Sequence, residues 1–148
     1  NKKRKNEKNR KFFRMKILFV CKYNRFRSRV AEAYFKKINK NKKIKAESAG
    51  IIRGQYPLSS VQVKIAKEYG LNIEGKPKSL NINQLNSANK IIVVADDIPR
   101  IVFNYPRFKN KLIMWKIKDE WDGNAKNNRK IIEQIIKNVK RLVKGLKK

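Results

Sequence analysis

The chain has 148 residues, 41% of them hydrophobic, which is enough for one globular domain with a real core. Lysine and arginine number 40 against 11 aspartate and glutamate, and the net charge of +29 implies polyanionic company: nucleic acid, anionic lipid or a phosphorylated substrate. Histidine is absent and cysteine occurs once, which excludes serine–histidine chemistry and an internal disulfide and leaves no ligand set for zinc, so no metal or other cofactor is expected.

Residues 1–14, NKKRKNEKNRKFFR, are basic, rich in asparagine and without periodicity before Phe12 and Phe13. They predict a mobile arm that either makes non-specific contact with polyanions or is simply solvated. Residues 15–148 form the expected domain. Met15 to Val20 is a nearly continuous apolar run, as in a strand buried on both faces. Val30, Ala31, Tyr34, Phe35 and Ile38 recur at helical spacing, and Ile44 to Ser48 reads as a short strand ending at Ala49-Gly50. Ser59 or Ser60 can cap a helix that buries Val61, Ile65, Ala66 and Tyr69 and stops at Gly70. A third strand runs from Ile91 to Ala95, followed by Asp96-Asp97 and a short helix through Ile101 to Phe103. Lys111 to Trp115 is the fourth strand. The last element is a long helix with Ile131, Ile132, Ile135, Ile136, Val139, Leu142, Val143 and Leu146 on one stripe. Four strands alternating with helices predict an α/β fold, a parallel sheet covered on both faces as a three-layer α/β/α sandwich. No apolar run is long enough to span a bilayer and no signal-like segment is present, and the lone thiol suits a reducing compartment, so a cytoplasmic location is expected.

In folds of this kind ligands sit at the carboxyl ends of the strands, near the switch in strand order. The single thiol, Cys21, is there, in VCKYNRFRS between the first strand and the first helix. A strand-to-helix loop directs backbone N–H groups into one concavity, and the helix dipole adds positive potential, so an anion is favoured. The same field favours thiolate over thiol. Arg27 can fork two N–H bonds onto phosphate oxygens, and the Ser28 hydroxyl can donate to the sulfur.

Cys-x5-Arg-Ser in this position resembles the low-molecular-weight protein tyrosine phosphatases and the arsenate reductases that share their fold. Ala31-Glu32-Ala33, Ser48-Ala49-Gly50, Asp96 at the end of the third strand and Trp115-Lys116-Ile117-Lys118-Asp119 extend the likeness over roughly Met15 to Leu146. The resemblance implies a flavodoxin-like strand order, 2-1-3-4, and a phosphomonoester hydrolase acting through a cysteinyl-phosphate. It casts Cys21 as nucleophile, Arg27 as the binder of the equatorial oxygens and Asp119 as general acid and base. Lys22, Tyr23, Asn24, Arg25, Phe26 and Ser28 build the phosphate loop, with Asn24 in left-handed backbone and Ser28 stabilising the thiolate. Trp121 would wall the substrate pocket, with Ile52, Ile51 and Tyr56 as candidates for the opposite wall, and Asp122 is a fallback acid. The expected partners are a phosphorylated protein or a small aryl phosphate.

The chain departs from the family pattern in several places. Tyr23 stands where most phosphatases of the family have glycine, a strained choice if that backbone needs positive φ. Glu120 replaces a proline, Phe26 a second loop cysteine, and Arg29 the proline at the helix start. Lys22, Arg25 and Arg29 suggest a basic crown around the loop and a preference for acidic phosphopeptides. Two alternatives stay open: a reductase-like enzyme that needs an outside thiol, since no cysteine follows Cys21, and a catalytically weak binder of phosphate or nucleic acid.

Overall fold

A computed structural model describes residues 15–54, 56–120 and 123–146. The basic arm expected over residues 1–14 lies outside them, as do Trp121 and Asp122. Four parallel strands, β1 (Met15–Cys21), β2 (Ile44–Gly50), β3 (Lys90–Val94) and β4 (Leu112–Trp115), form one sheet in the order β2-β1-β3-β4. Register is continuous from Met15 against Ile44 to Cys21 against Gly50, and from Ile91 against Leu112 to Val94 against Trp115.

Alternation along the buried strands assigns side chains to the two faces. Ile17, Phe19, Ile92, Val94, Ile113 and Trp115 point to one face. It is covered by α1 (Arg27–Ile38), α2 (Ser60–Glu68) and the long terminal helix introduced below as α5. Leu18, Val20, Ile91, Val93, Leu112 and Met114 point to the other. That face is closed by α3 (Ile82–Ser87), a 3₁₀ turn over Arg100–Phe103 and α4 (Pro106–Lys109). The terminal helix, α5 (Ala125–Leu146), buries Ile131, Ile132, Ile135, Val139 and Val143 along its apolar stripe. The chain is thus a three-layer α/β/α sandwich with the expected strand order.

Helix ends follow the local sequence. Ser59 caps α2, its hydroxyl accepting from the Gln62 N–H at 3.3 Å. The helical face is rotated from the expected one: Val61 is 37% exposed, whereas Gln62 is 6% exposed, so a carboxamide occupies the place assigned to a valine. Ile101, expected within a packed helix, is instead 73% exposed on the 3₁₀ turn. Two helices escaped the sequence pattern, α3 and α4, of six and four residues. Helix α3 buries none of its own residues, so it carries no periodicity to read. It is held by a capping box between Asn81 and Gln84 at one end. At the other end the Lys111 ammonium donates to the carbonyls of Leu85 and Ala88 at 2.7 Å.

Parallel strands bring Cys21, Gly50, the Ala95–Asp97 segment and Ile117 to the same edge of the sheet. Beyond β4 the pairing continues in the main chain, with Asp96 N–H donating to Ile117 O at 2.9 Å. The Phe19 ring fixes α1 to the sheet, lying 6.0 Å from Phe35 and 5.9 Å from Trp115 between ring centroids. Phe19→Ala is therefore expected to cost about 3–5 kcal/mol of stability, read from urea unfolding. A loss below about 1 kcal/mol would show that the layer repacks around the gap.

Candidate active site

The first strand ends in a loop that turns into α1 without a side-chain cap. The orphan N–H groups of the first turn and those of the loop are left to face one concavity. Asn24 makes the turn possible by adopting φ 55°, the one positive φ at a non-glycine position among the described residues. Tyr23, in the position where strain was expected, does not need it. The close approach is made by Gly50 at the end of β2. A Cβ there would sit 2.6 Å from the Tyr23 carbonyl carbon and 2.7 Å from Asn24 N, so only glycine fits against the loop. Ile51 and Ile52 extend the ladder by donating to Cys21 O and Lys22 O at 3.1 and 3.0 Å.

Behind the loop runs a hydrogen-bond chain whose donor directions are settled by chemistry. Asn24, fully buried, accepts at Oδ1 from Lys78 N–H at 2.8 Å, so its Nδ2 must point the other way. That Nδ2 donates to Ser28 Oγ at 2.8 Å and Ser48 Oγ at 3.0 Å. Ser28 Oγ, having accepted, has its proton free for Cys21 Sγ, 3.0 Å away. Ser48 passes its own proton to Glu32 Oε1. Burial would push the Glu32 carboxyl up, yet hydrogen bonds from Lys36 and Ser48 and the charges of Lys78 and Lys36 carry it below the usual carboxylate range.

Arg29 is not part of a basic crown. It is 8% exposed and turned inward, donating from Nε to Ile73 O at 2.8 Å and from Nη1 to Lys76 O at 3.1 Å. It reaches Asn24 Oδ1 at 3.5 Å. Burial lowers its guanidinium from the ordinary value, opposed by the charges of Glu32 and Cys21. An arginine stays charged despite such a shift. The side chain that replaces a helix-start proline thus stitches the 73–78 segment to the loop from behind.

Arg27 is 3% exposed and fixed on two sides. Its Nη1 donates to Ile117 O at 2.8 Å, and its Nη2 spans the two oxygens of Asp97 at 3.0 and 3.3 Å. Asp96 is 3.9 Å away. The fork therefore spends part of its donor set on being positioned, and Nε has no hydrogen bond among the described residues. Asp97, which the sequence reading passed over beside Asp96, is the stronger partner. Its signal was the pair of carboxylates just past the third strand.

These elements enclose a cavity of about 40 Å³. Cys21, 3% exposed, lies at its floor, and Tyr23, Arg25, Phe26, Arg27, Ser59, Gln62, Asp119 and Glu120 complete the lining. Asp119 is half-buried, its Oδ1 accepting from Glu120 N–H at 2.9 Å. Tyr56 stands edge-on to Tyr23 at 4.8 Å, and Arg25 Nε donates to Pro57 O at 2.9 Å. Of the other expected loop residues, Lys22 lies over the Tyr23 ring, and Asn24 and Ser28 brace the loop from beneath. Ile52 does not line the cavity. It meets the loop through its backbone, while Tyr56, another candidate for that wall, packs against the cavity-lining Tyr23. The expected wall residue Trp121 and the fallback acid Asp122 lie outside the described residues. Ser59 and Gln62 were not foreseen as lining residues. The arrangement can hold a tetrahedral oxyanion over a sulfur, with a carboxyl group at hand to exchange a proton.

The family model described as low molecular weight phosphotyrosine protein phosphatase matches residues 16–148. Among solved structures, the low-molecular-weight protein tyrosine phosphatase from T. tengcongensis is 28% identical, with a TM-score of 0.77, covering 88% of this chain and 99% of its own. An arsenate reductase from Archaeoglobus fulgidus is 27% identical, with a TM-score of 0.70 and coverage of 86% and 98%. The arginine phosphatase from Geobacillus stearothermophilus, 22% identical at a TM-score of 0.75 with coverage of 90% and 93%, shares the fold. No match was found among curated protein sequences.

The Glu32 carboxylate gives this site a stability signature. Because its pKa in the folded protein lies below the unfolded value, its stabilisation is present above the unfolded value and is lost as pH falls through the folded one. Glu32→Gln should lower the unfolding free energy near neutrality and converge with wild type in strong acid, by urea titration. A gap that stays constant across that range would remove Glu32 as the ionised end of the chain.

Proposed function

The chain belongs to the low-molecular-weight phosphotyrosine protein phosphatase family, and from that premise we propose that it hydrolyses phosphomonoesters through a cysteinyl-phosphate on Cys21. One observation carries the mechanism: a buried thiol within 3.0 Å of a hydroxyl whose proton is directed at it, on the floor of a cavity lined by Arg27 and Asp119. Cys21 thiolate attacks phosphorus, the bond to the leaving oxygen breaks, and Asp119 delivers a proton to that oxygen. Water then attacks, Asp119 takes its proton, the S–P bond breaks and phosphate leaves with the thiolate restored. Loop N–H groups and the free donors of Arg27 hold the equatorial oxygens, where charge builds up in the transition state. Trp121 flanks the substrate ring in this reading.

The substrates are phosphorylated proteins or small aryl phosphates. Arg25 at the cavity, Lys22 beside it and the net charge of +29 support capture of acidic phosphopeptides, and the 1–14 arm adds non-specific polyanion contact. The lone thiol supports a working place in a reducing compartment such as the cytoplasm.

Hydrolysis of an aryl phosphate from pH 5 to 8 tests the roles. Cys21→Ser should be inactive, Asp119→Asn slower by about 10²–10⁴-fold in kcat, and Arg27→Lys defective because a point charge cannot make the fork. Wild type that binds vanadate but turns nothing over would make the chain a phosphate binder. Arsenate reduction dependent on an added thiol would move it to the reductase side.

Charge capture has its own signature. The advantage in kcat/KM of an acidic phosphopeptide over a neutral aryl phosphate should shrink as ionic strength rises. Equal ratios at low and high salt would sink the electrostatic part.

A further inference from the structure

Gln62 lines the cavity with Cys21 and Asp119 but does not make the bond its position invites. It stands three residues after the Ser59 cap, where a glutamine usually reaches back to the cap's own N–H. Gln84 does that at the start of α3, its side-chain oxygen accepting from Asn81 N–H at 3.0 Å. The Gln62 carboxamide turns away instead. Its Nε2 donates to Asn128 Oδ1 at 3.1 Å and to Glu120 O at 3.4 Å.

The orientation of that amide is fixed by its neighbours. Asn128 Nδ2 is committed to Asn124 O at 3.0 Å, so the Asn128 oxygen faces Gln62 as an acceptor, and a main-chain carbonyl can only accept. Nitrogen must therefore face both partners, and Oε1 faces away from them. Gln62 Oε1 has no hydrogen bond within the described protein. No fully buried polar side-chain atom among the described residues lacks a partner, so this oxygen reaches open space although the residue is 6% exposed. The space that Gln62 lines is the catalytic cavity. At about 40 Å³ it is small, and Gln62 shares its lining with Cys21 and Asp119.

We infer that Gln62 Oε1 is a catalytic acceptor for the water that hydrolyses the cysteinyl-phosphate, an assignment that rests on the two-step reading above. Attacking water carries two protons. One passes to Asp119 as the P–O bond forms and the P–S bond breaks, while the other stays on the product phosphate and is held by Gln62 Oε1, turning a lone pair toward phosphorus. An alcohol has a single hydroxyl proton, which goes to Asp119, so phosphoryl transfer to an alcohol does not need the second acceptor. Gln62 therefore favours water over alcohol and acts in the second step alone.

The test uses p-nitrophenyl phosphate with the full chain, stopped-flow release of nitrophenol, and glycerol as competing acceptor. In Gln62→Met the first equivalent of nitrophenol should appear at close to the wild-type rate. Steady-state turnover should then fall about 10-fold to 100-fold, with phosphoenzyme accumulating, and the ratio of glycerol phosphate to inorganic phosphate should rise. Gln62→Asn, which keeps a carboxamide but withdraws it by one carbon, should shift the same ratio and serves if the methionine variant melts early. If Gln62 merely braces the Asp119 loop, both steps slow together and the product ratio does not move, which overturns the inference while leaving the hydrolase intact. A wild type that forms no phosphoenzyme on Cys21 brings down the two-step reading and this assignment with it.

Discussion

A single buried carboxamide organises the catalytic loop. Asn24 takes the left-handed backbone that lets the chain turn from β1 into α1, and its side chain meets three other segments, α1, β2 and residues 73–78. A polar group buried without partners would cost several kcal/mol. Here each half of the amide is satisfied, oxygen by the 73–78 segment and nitrogen by the two serines of α1 and β2. The direction of every proton from Glu32 to Cys21 follows from that placement. The Gly50 contact adds the steric side: β2 presses against the main chain of the loop so closely that there is no room for a Cβ.

Charge is distributed with the same economy. Among the described acidic residues, five stand at or behind the site: Glu32, Asp96, Asp97, Asp119 and Glu120. Glu32 and Asp97 have structural partners, and each holds a cation or a hydroxyl in place. Asp119 borders the cavity with a backbone N–H on one of its oxygens.

The sheet was legible because strands buried on both faces are written as unbroken apolar runs, and MKILFV and KIIVV have no other reading. The thiol loop was legible for a related reason: Cys21, Arg27 and Ser28 fall where strand gives way to helix. Less visible was anything that depends on phase or on a partner distant in sequence. The α2 face was misplaced by one position, which put Val61 inside and hid Gln62. Arg29 reads as one more surface cation until the carbonyls of Ile73 and Lys76 are seen around it. Ile52 reads as a candidate wall residue, and what meets the loop is its backbone N–H, donating to Lys22 O.

The division between main chain and side chain at this site has a consequence for change over time. The oxyanion cradle is set by backbone N–H groups, by a glycine contact and by an amide sealed from solvent. The rim includes the side chains of Tyr23 and Arg25, which line the cavity from the same loop and are partly exposed. Replacing a rim residue alters what can approach without redrawing the cradle, whereas a change at Gly50 or Asn24 would deform the cradle whatever stood at the rim. Substrate choice and phosphoryl chemistry are in this way separately heritable, so a lineage can drift among phosphorylated ligands while keeping one reaction.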